Sequence, residues 1–223
     1  MKKLTSTLLL GLLASLAVAA QAAEEPTLRE IDVPHDLASL QRGAETVATV
    51  CMGCHSLKYI KYRDLLAAGI DKDKVTAWRG TKSKDSSMIS SMTPDAARSM
   101  FSVVPPDLSL MAAARDGRAR YIFSYLTGYH KNDKGVVTNS VFPVTRMPDI
   151  LGSSMAADAQ ARAAIDEKAK DVTAFLAWAA DPHAQERRHM GYYVLGYVAF
   201  MTLLLYLWKK QIWREINKRP KIK

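Results

Sequence analysis

The segment TVATVCMGCHSLKYIKYRDL, residues 49–68, holds both cysteines of a 223-residue chain, Cys51 and Cys54, and His55 directly follows the second. Two thiols and an imidazole within five residues suit three chemistries: a thiol–disulfide redox pair, half of a zinc site, or the thioether attachment of a c-type haem, which needs the trailing histidine. Chance produces this motif at about 1 in 5,000 in a chain with so few Cys and His, so coincidence is set aside. Zinc asks for four ligands, usually as two pairs, and the sequence holds no second pair. A thioredoxin-like redox pair asks for βαβ surroundings, whereas these flanks read as helix and loop. Haem attachment is the leading expectation, and a disulfide pair is the alternative. In that reading Cys51 and Cys54 add to two vinyl groups on one edge of a protoporphyrin and His55 binds iron as the proximal ligand. Met52 and Gly53 fill the loop.

The group on the other side of iron separates a carrier from an enzyme. An open position permits oxygen or peroxide chemistry, while a second protein ligand leaves electron transfer. Of ten methionines, Met88, Met92, Met100, Met111, Met147 and Met155 lie outside the attachment loop and the terminal segments. Met147 precedes Pro148 in VFPVTRMPDILG, and a residue before proline is held extended and out of any helix. Met92 and His130 stay open as alternatives, and filling a core gap is the common fate of methionine.

The two ends of the chain indicate where this chemistry happens. Residues 1–22 carry Lys2 and Lys3, an apolar run from Leu8 to Ala20 and the small-residue stretch Ala20-Gln21-Ala22, the pattern of a cleaved secretory signal. Thirteen apolar residues as helix reach about 20 Å, short of a hydrocarbon core of about 30 Å. Gly191 to Trp208 is an uncharged run bounded by Arg187 and Arg188 on one side and Lys209 and Lys210 on the other. It reads as a transmembrane helix with Tyr192, Tyr193 and Trp208 as interfacial aromatics. The sequence thus divides into a signal at 1–22, an exported domain at 23–186, an anchor at 187–210 and a basic tail at 211–223. Positive-inside bias puts the tail in the cytoplasm and the domain in the periplasm, at the inner (cell) membrane.

This division explains the formal net charge of +9. The excess sits at the signal and beside the anchor, whereas residues 24–186 hold 20 Lys or Arg against 21 Asp or Glu. Nucleic acid is therefore no expected partner, and steering of a protein partner would depend on a local patch.

The elements that must position the motif read as helices. Leu37, Leu40, Ala44, Val47 and Val50 recur at helical spacing and lead into Cys51. Thr93-Pro94-Asp95 marks a helix start running through Met100. Arg118 to Thr127 is closed by Gly128 as a left-handed cap. Asp158 to Ala180 places Ile165, Ala169, Val172, Leu176 and Ala179 on one face and stops at Asp181-Pro182. Period-two alternation is scarce, so the fold is expected to be mainly α, with loops wrapped on a cofactor.

Several stretches together resemble the cytochrome c1 family, the membrane-anchored c-type cytochromes of the ubiquinol:cytochrome c oxidoreductase (bc1 complex), in a bacterial form. VCMGCHSLKYIKYRDL is similar to the family's attachment segment, and PPDLSL at Pro105 to Leu110 to the proline-rich loop that packs along the haem. YIFSYLTGY at Tyr121 to Tyr129 resembles the following helix, RMPDIL the axial-methionine loop, and DVTAFLAWAADPHAQERRHMGYYVL the final helix running into the anchor. The resemblance implies a class I-like c-type cytochrome domain with long loops around one covalent haem c, plus one C-terminal transmembrane helix. It implies Met147 as axial ligand, Pro106 at the haem, and Arg115 and Tyr121 at the propionates. SMFSVV at Ser99 to Val104 departs from the Asn-Gly-containing stretch of many members, so contacts from there do not carry over. Pro-Asp-Ile-Leu after the methionine has fewer prolines than many relatives.

The implied function is electron transfer in the respiratory chain, with iron kept six-coordinate by His55 and Met147 and no side chain acting as acid, base or nucleophile. The implied partners are cytochrome b and a Rieske iron–sulfur protein in one membrane complex, with a soluble or anchored cytochrome c as acceptor. An independent membrane-bound shuttle to an oxidase, and a gas sensor or peroxidase with a labile sixth ligand, are the rival expectations.

Overall fold

The structure, a computed structural model, describes residues 27–218. The signal assigned to residues 1–22 and the basic residues Arg219, Lys221 and Lys223 lie outside the described residues. The chain forms two compact units, one ending at Ala180 and one beginning at Asp181.

In the first unit the helices are α1 (Leu37–Thr49), α2 (Tyr62–Ala67), α3 (Lys72–Arg79), α4 (Pro94–Phe101), α5 (Met111–Ala114), α6 (Ala119–Thr127) and α7 (Ala159–Ala180). Two short antiparallel ribbons accompany them. One joins β1 (Leu57–Lys61) and β2 (Ser87–Met88), and the other joins β3 (Tyr129–Lys131) and β4 (Val137–Asn139) with Tyr129 opposite Asn139. The mainly helical class expected from the sequence is what the chain adopts.

Helix α1 begins where Asp36 accepts a bond from the backbone of Ser39 at 2.8 Å, which satisfies one of the orphan donors of a helix start. Its buried face is Ser39, Gly43, Ala44, Thr46 and Val47. That face is built of small residues because α7 crosses it at backbone distance. A Cβ placed on Gly43 would stand 2.0 Å from the carbonyl oxygen of Asp171 and 2.9 Å from the Cβ of Phe175. Arg42 then forks onto the Asp171 carboxylate, with Nε at 2.7 Å and a terminal nitrogen at 2.8 Å. Such a bidentate pair fixes register as well as attraction. Below it the core is filled by Val47, Leu57, Ile60, Tyr62, Leu65, Met88, Phe123, Val172 and Phe175, all at most 2% exposed.

The segment ahead of α1 is strapped to α6 and α7. Arg29 donates its backbone N–H to Ser124 Oγ and its guanidinium to Thr127 and Asp166, and lies 4.7 Å over the ring of Phe123. The bond to Arg29 holds the Asp166 carboxyl below the usual range against some burial.

Most predicted elements stand, with instructive differences. Thr93 caps α4 through its hydroxyl and Pro94 occupies the first turn, as expected. That helix ends at Ser102 with φ of 62°, a left-handed conformation that glycine or asparagine adopts more easily. It falls in the stretch that departs from the family's Asn-Gly pattern. Gly128 is not a left-handed cap: its φ is −84°. Its glycine is required by space, since a Cβ there would meet Ser124 O and Ser140 Oγ at 2.6 Å each. The positive φ lies instead at the other end, at Arg118. Helices α2 and α3 and both ribbons are too short to leave a clear period in the sequence.

The second unit is one helix, α8 (Ala184–Lys218), preceded by an ion pair between Arg187 and Asp181. Its 35 residues span about 50 Å at 1.5 Å per residue. Among the described residues it is the one helix long and apolar enough to cross a membrane. Leu195, Phe200, Leu203, Leu205 and Trp208 are exposed around it, as suits a lipid-facing rod. The helix starts before and continues beyond the 18-residue apolar run, because the charged flanks are themselves good helix formers.

The close approach of α1 and α7 gives a direct test. Gly43→Ala should lower stability by about 1–3 kcal/mol, the usual range for overpacking a tight contact, whereas Gly53→Ala, with no atom within 4 Å of the added carbon, should leave it within about 0.5 kcal/mol. Thermal midpoints of the two variants in detergent measure this, and equal midpoints would contradict the packing described.

Candidate haem site

Helix α1 ends at Thr49, and the chain tightens at once into a 3₁₀ turn at Cys51–Gly53. The Cys54 and His55 N–H groups both donate to the carbonyl of Cys51, at 3.1 and 2.8 Å. This turn presents Cys51 and Cys54 on one short loop as free thiols, both half-buried. Burial pushes the Cys51 thiol up to about 11, so it is protonated at neutral pH and a poor metal ligand or redox nucleophile by itself.

His55 is 9% exposed. Its Nδ1 lies 2.7 Å from the carbonyl oxygen of Pro106, an acceptor only, so Nδ1 carries the proton and donates it. Nε2 is then the unprotonated nitrogen, with no hydrogen bond among the described residues. Burial lowers the His55 pKa, opposed by the Pro106 bond and the charge of Asp107. A neutral imidazole, fixed in tautomer by a backbone carbonyl, is the form that binds a transition metal.

The loop carrying Pro106 is itself clamped to the attachment segment. Leu108 N–H donates to Ser56 O at 2.8 Å, Lys58 N–H to Asp107 at 2.9 Å and Tyr59 N–H to Ser109 Oγ at 3.1 Å. From another side Ser90 bonds both Ser56 Oγ and the carbonyl of Gly53, at 3.0 and 3.2 Å. Cys51, Cys54, His55 and Pro106 are therefore one connected assembly.

Met147 belongs to a second assembly. It is half-buried in an irregular loop, and it packs against the same core cluster as Cys51, Met52, Leu108 and Met111. Its N–H donates to Thr145 Oγ1 at 3.1 Å and its carbonyl accepts from Tyr129 OH at 2.9 Å. Thr145 in turn is bonded to Tyr125 OH. Tyr125 stacks on Tyr121 and meets Tyr129 edge-on, each at 5.9 Å. The Arg115 guanidinium lies 5.6 Å over the ring of Tyr121. Burial raises the Tyr121 phenol, with Arg115 opposing; burial first and the neighbouring Tyr125 next push Tyr129 further up. Residues 121, 125 and 129 thus link Arg115 to Met147. The sequence reading named Tyr121 alone and missed Tyr125, Tyr129 and Thr145, although tyrosines recurring every fourth residue were a visible signal.

The other sixth-ligand candidates differ in setting: Met111 packs against the same core cluster as Met147 and Met155 lines a pocket with it. Met88 is fully buried in the core, Met100 and Met155 are largely exposed, and Met92 is half-buried after Ser90. His130 is exposed on β3, its Nδ1 3.0 Å from Gly128 O.

These residues fit a haem better than the other chemistries of the motif. Among the described residues no group of three or more Cys, His, Asp or Glu gathers to hold a metal ion, so a site built by side chains alone, as zinc asks for, is not assembled around His55. Met100, Val103, Val104 and Leu110 around the Pro106 loop, and Phe142, Val144 and Ile150 around Met147, stay exposed.

Comparison with known proteins gives the family. The model of the cytochrome C1 family matches residues 28–216. A cytochrome c1 of Allochromatium vinosum is 30% identical over 253 residues, covering 97% of this chain and 100% of that protein. A cytochrome c1 of Rhodospirillum rubrum is 28% identical, covering 82% of this chain and 84% of that one. A protein of Nitrosomonas europaea named ammonia monooxygenase gamma subunit is 29% identical, covering 94% and 97%. The match takes in the Cys51 turn, the Met147 loop and most of helix α8, and the chain belongs to the cytochrome c1 family of haem c proteins.

Proposed function

We propose that this chain is the electron-transfer subunit of a bc1 complex that accepts electrons from a Rieske iron–sulfur protein and passes them to cytochrome c, alongside cytochrome b. The observation that carries the reading is the His55 ring, buried, neutral and held by Pro106 with Nε2 left for iron. Membership of the cytochrome c1 family supports covalent haem c and a single-pass membrane subunit. The Nitrosomonas relative is named as a subunit of another enzyme, so co-purification is the experiment that decides the partners.

Haem c supplies a one-electron iron couple when bound. Cys51 and Cys54 hold it covalently, so the carrier is retained through every cycle. His55 and Met147 would hold the iron, and with two protein ligands in place oxygen and peroxide would be shut out. The Met147 thioether is a weak donor that favours ferrous iron and a raised potential. Pro106 orients the imidazole through its carbonyl, while Arg115 and Tyr121, paired with each other, would hold the propionates. No residue is asked to move a proton. Residues 23–186 form the periplasmic domain, α8 anchors it through residues 187–210, and the basic tail from 211 faces the cytoplasm, because Lys209, Lys210 and Arg214 resist transfer across the membrane.

Gentle detergent purification through a C-terminal tag should bring cytochrome b and a Rieske protein with this chain. Recovery of the haem protein without them, or with a different enzyme, would leave the independent shuttle as the better reading.

Acid–acetone extraction should leave the colour on the polypeptide, while Cys51→Ser and Cys54→Ser each leave one vinyl unsaturated in the pyridine spectrum. Haem freely extracted from the unmodified protein is the contrary result.

Met147→Leu keeps the volume and removes the sulfur. The ferric protein should lose its weak thioether-to-iron charge-transfer band and its potential should fall, by about 59 mV for each tenfold of ferrous preference lost. Quinol-driven cytochrome c reduction by the assembled complex should nearly stop. An intact band in this variant, with loss in Met92→Leu, would move the ligand to Met92.

A further inference from the structure

The Met147 loop has no helix or strand of its own, yet Met147 is bonded on both sides of its Cα by side chains of other residues. Its N–H is held by Thr145 Oγ1 at 3.1 Å and its carbonyl by Tyr129 OH at 2.9 Å. Two bonded peptide groups around one Cα leave that residue little freedom in φ and ψ, and hence fix the direction in which its side chain departs.

Tyr129 is suited to this work by its own surroundings. It is 2% exposed and opens β3 opposite the fully buried Asn139. Asn139 donates to the carbonyl of Tyr125 at 2.8 Å and accepts from the N–H groups of Val141 and Phe142 at 2.9 and 3.2 Å. The same side chain thus ties the end of α6 to the start of the methionine loop. Gly128, just before Tyr129, lets these strands close, since any Cβ would strike Ser124 and Ser140. Ring contact with Tyr125 confines the phenol from the side. A buried hydroxyl needs a partner, and this one donates to the Met147 carbonyl with the Tyr125 and Thr145 hydroxyls beside it.

We infer that Tyr129 is a positioning residue that keeps the Met147 sulfur on iron, with Tyr125 acting in the same sense through Thr145. This rests on Met147 being the axial ligand, and it adds a claim: the stability of that bond is set outside the loop, by hydroxyls of α6 and β3. Replacing Tyr129 by Phe keeps the ring packing and removes only the donor. The Met147 carbonyl is then left unpartnered, and the loop gains freedom to swing the sulfur away.

The test uses the haem-loaded full chain in detergent and imidazole, which competes with a protein thioether for ferric iron. Tyr129→Phe should bind imidazole about tenfold more tightly, which is about 1.4 kcal/mol, the size of one hydrogen bond to a buried group. The charge-transfer band should weaken, and both readings should be taken well below the thermal midpoint. A tyrosine that merely stabilises the fold would lower the midpoint and leave imidazole affinity unaltered. That outcome, with an undiminished band, overturns the inference. If Tyr129→Phe does not accumulate as haem protein, Thr145→Val removes the bond on the N–H side and is held to the same tenfold criterion. Met147→Leu run in parallel separates the two claims. Loss of the band there with unchanged imidazole affinity in Tyr129→Phe sinks the positioning role alone, whereas a retained band in Met147→Leu sinks the axial assignment on which it rests.

Discussion

The hydrogen bond from His55 Nδ1 to the carbonyl of Pro106 is the interaction on which the site turns. An imidazole can offer either nitrogen to a metal, and it does so only when neutral. A backbone carbonyl cannot donate, so this one contact settles the tautomer and leaves Nε2 with the lone pair that metal binding requires. It also joins two segments 51 residues apart in sequence, and everything around it keeps that join closed. Asp107 caps Ser109 and Lys58, Ser56 holds Leu108 and Ser90, and Ser90 reaches back to Gly53. The attachment turn is thus held from two sides before any cofactor adds its own contacts.

The rigidity behind the turn comes from α1 and α7. Gly43 lets the two backbones touch and Arg42 locks their register on Asp171. α7 is also the element on which α5 and α6 pack. The helix that leads into the cysteines and the helix that carries Tyr121 and Tyr125 are therefore referred to one scaffold. For electron transfer this is the useful property. A site whose ligands are set by packed helices has little to rearrange when one electron arrives, and the cost of each transfer falls with the rearrangement it demands.

The sequence was most legible where spacing is imposed by covalent chemistry or by a long helical period. Cys51, Cys54 and His55 announce their chemistry by adjacency, and α1, α7 and the apolar run inside α8 repeat over enough residues to show one face or none. Thr93-Pro94 worked because a cap and a proline are local signals. What stayed hidden is non-local. Nothing near His55 in sequence points to Pro106, and the short ribbons β1–β2 and β3–β4 have too few residues to show alternation. Gly128 illustrates a different failure: a glycine after a helix suggests a left-handed cap, yet this one is demanded by the crowding of Ser124 and Ser140, which only the folded chain brings together.

The segments that carry His55 and Met147 are held in different ways. His55 is buried next to two points of covalent attachment and belongs to a turn built on an α-helix. Met147 comes from a loop with no regular structure, and its side chain is the weaker donor. A weak bond from an unstructured loop has to be supported by something other than its own strength. Here the support runs outward through Thr145 and Tyr129 to Tyr125 and Tyr121, and from them into α6 and the α7 scaffold. The tyrosine ladder therefore does for the methionine what helix α1 does for the histidine. It leaves the position of Met147 decided by the packed core, which is the condition for a thioether to tune iron without being lost from it.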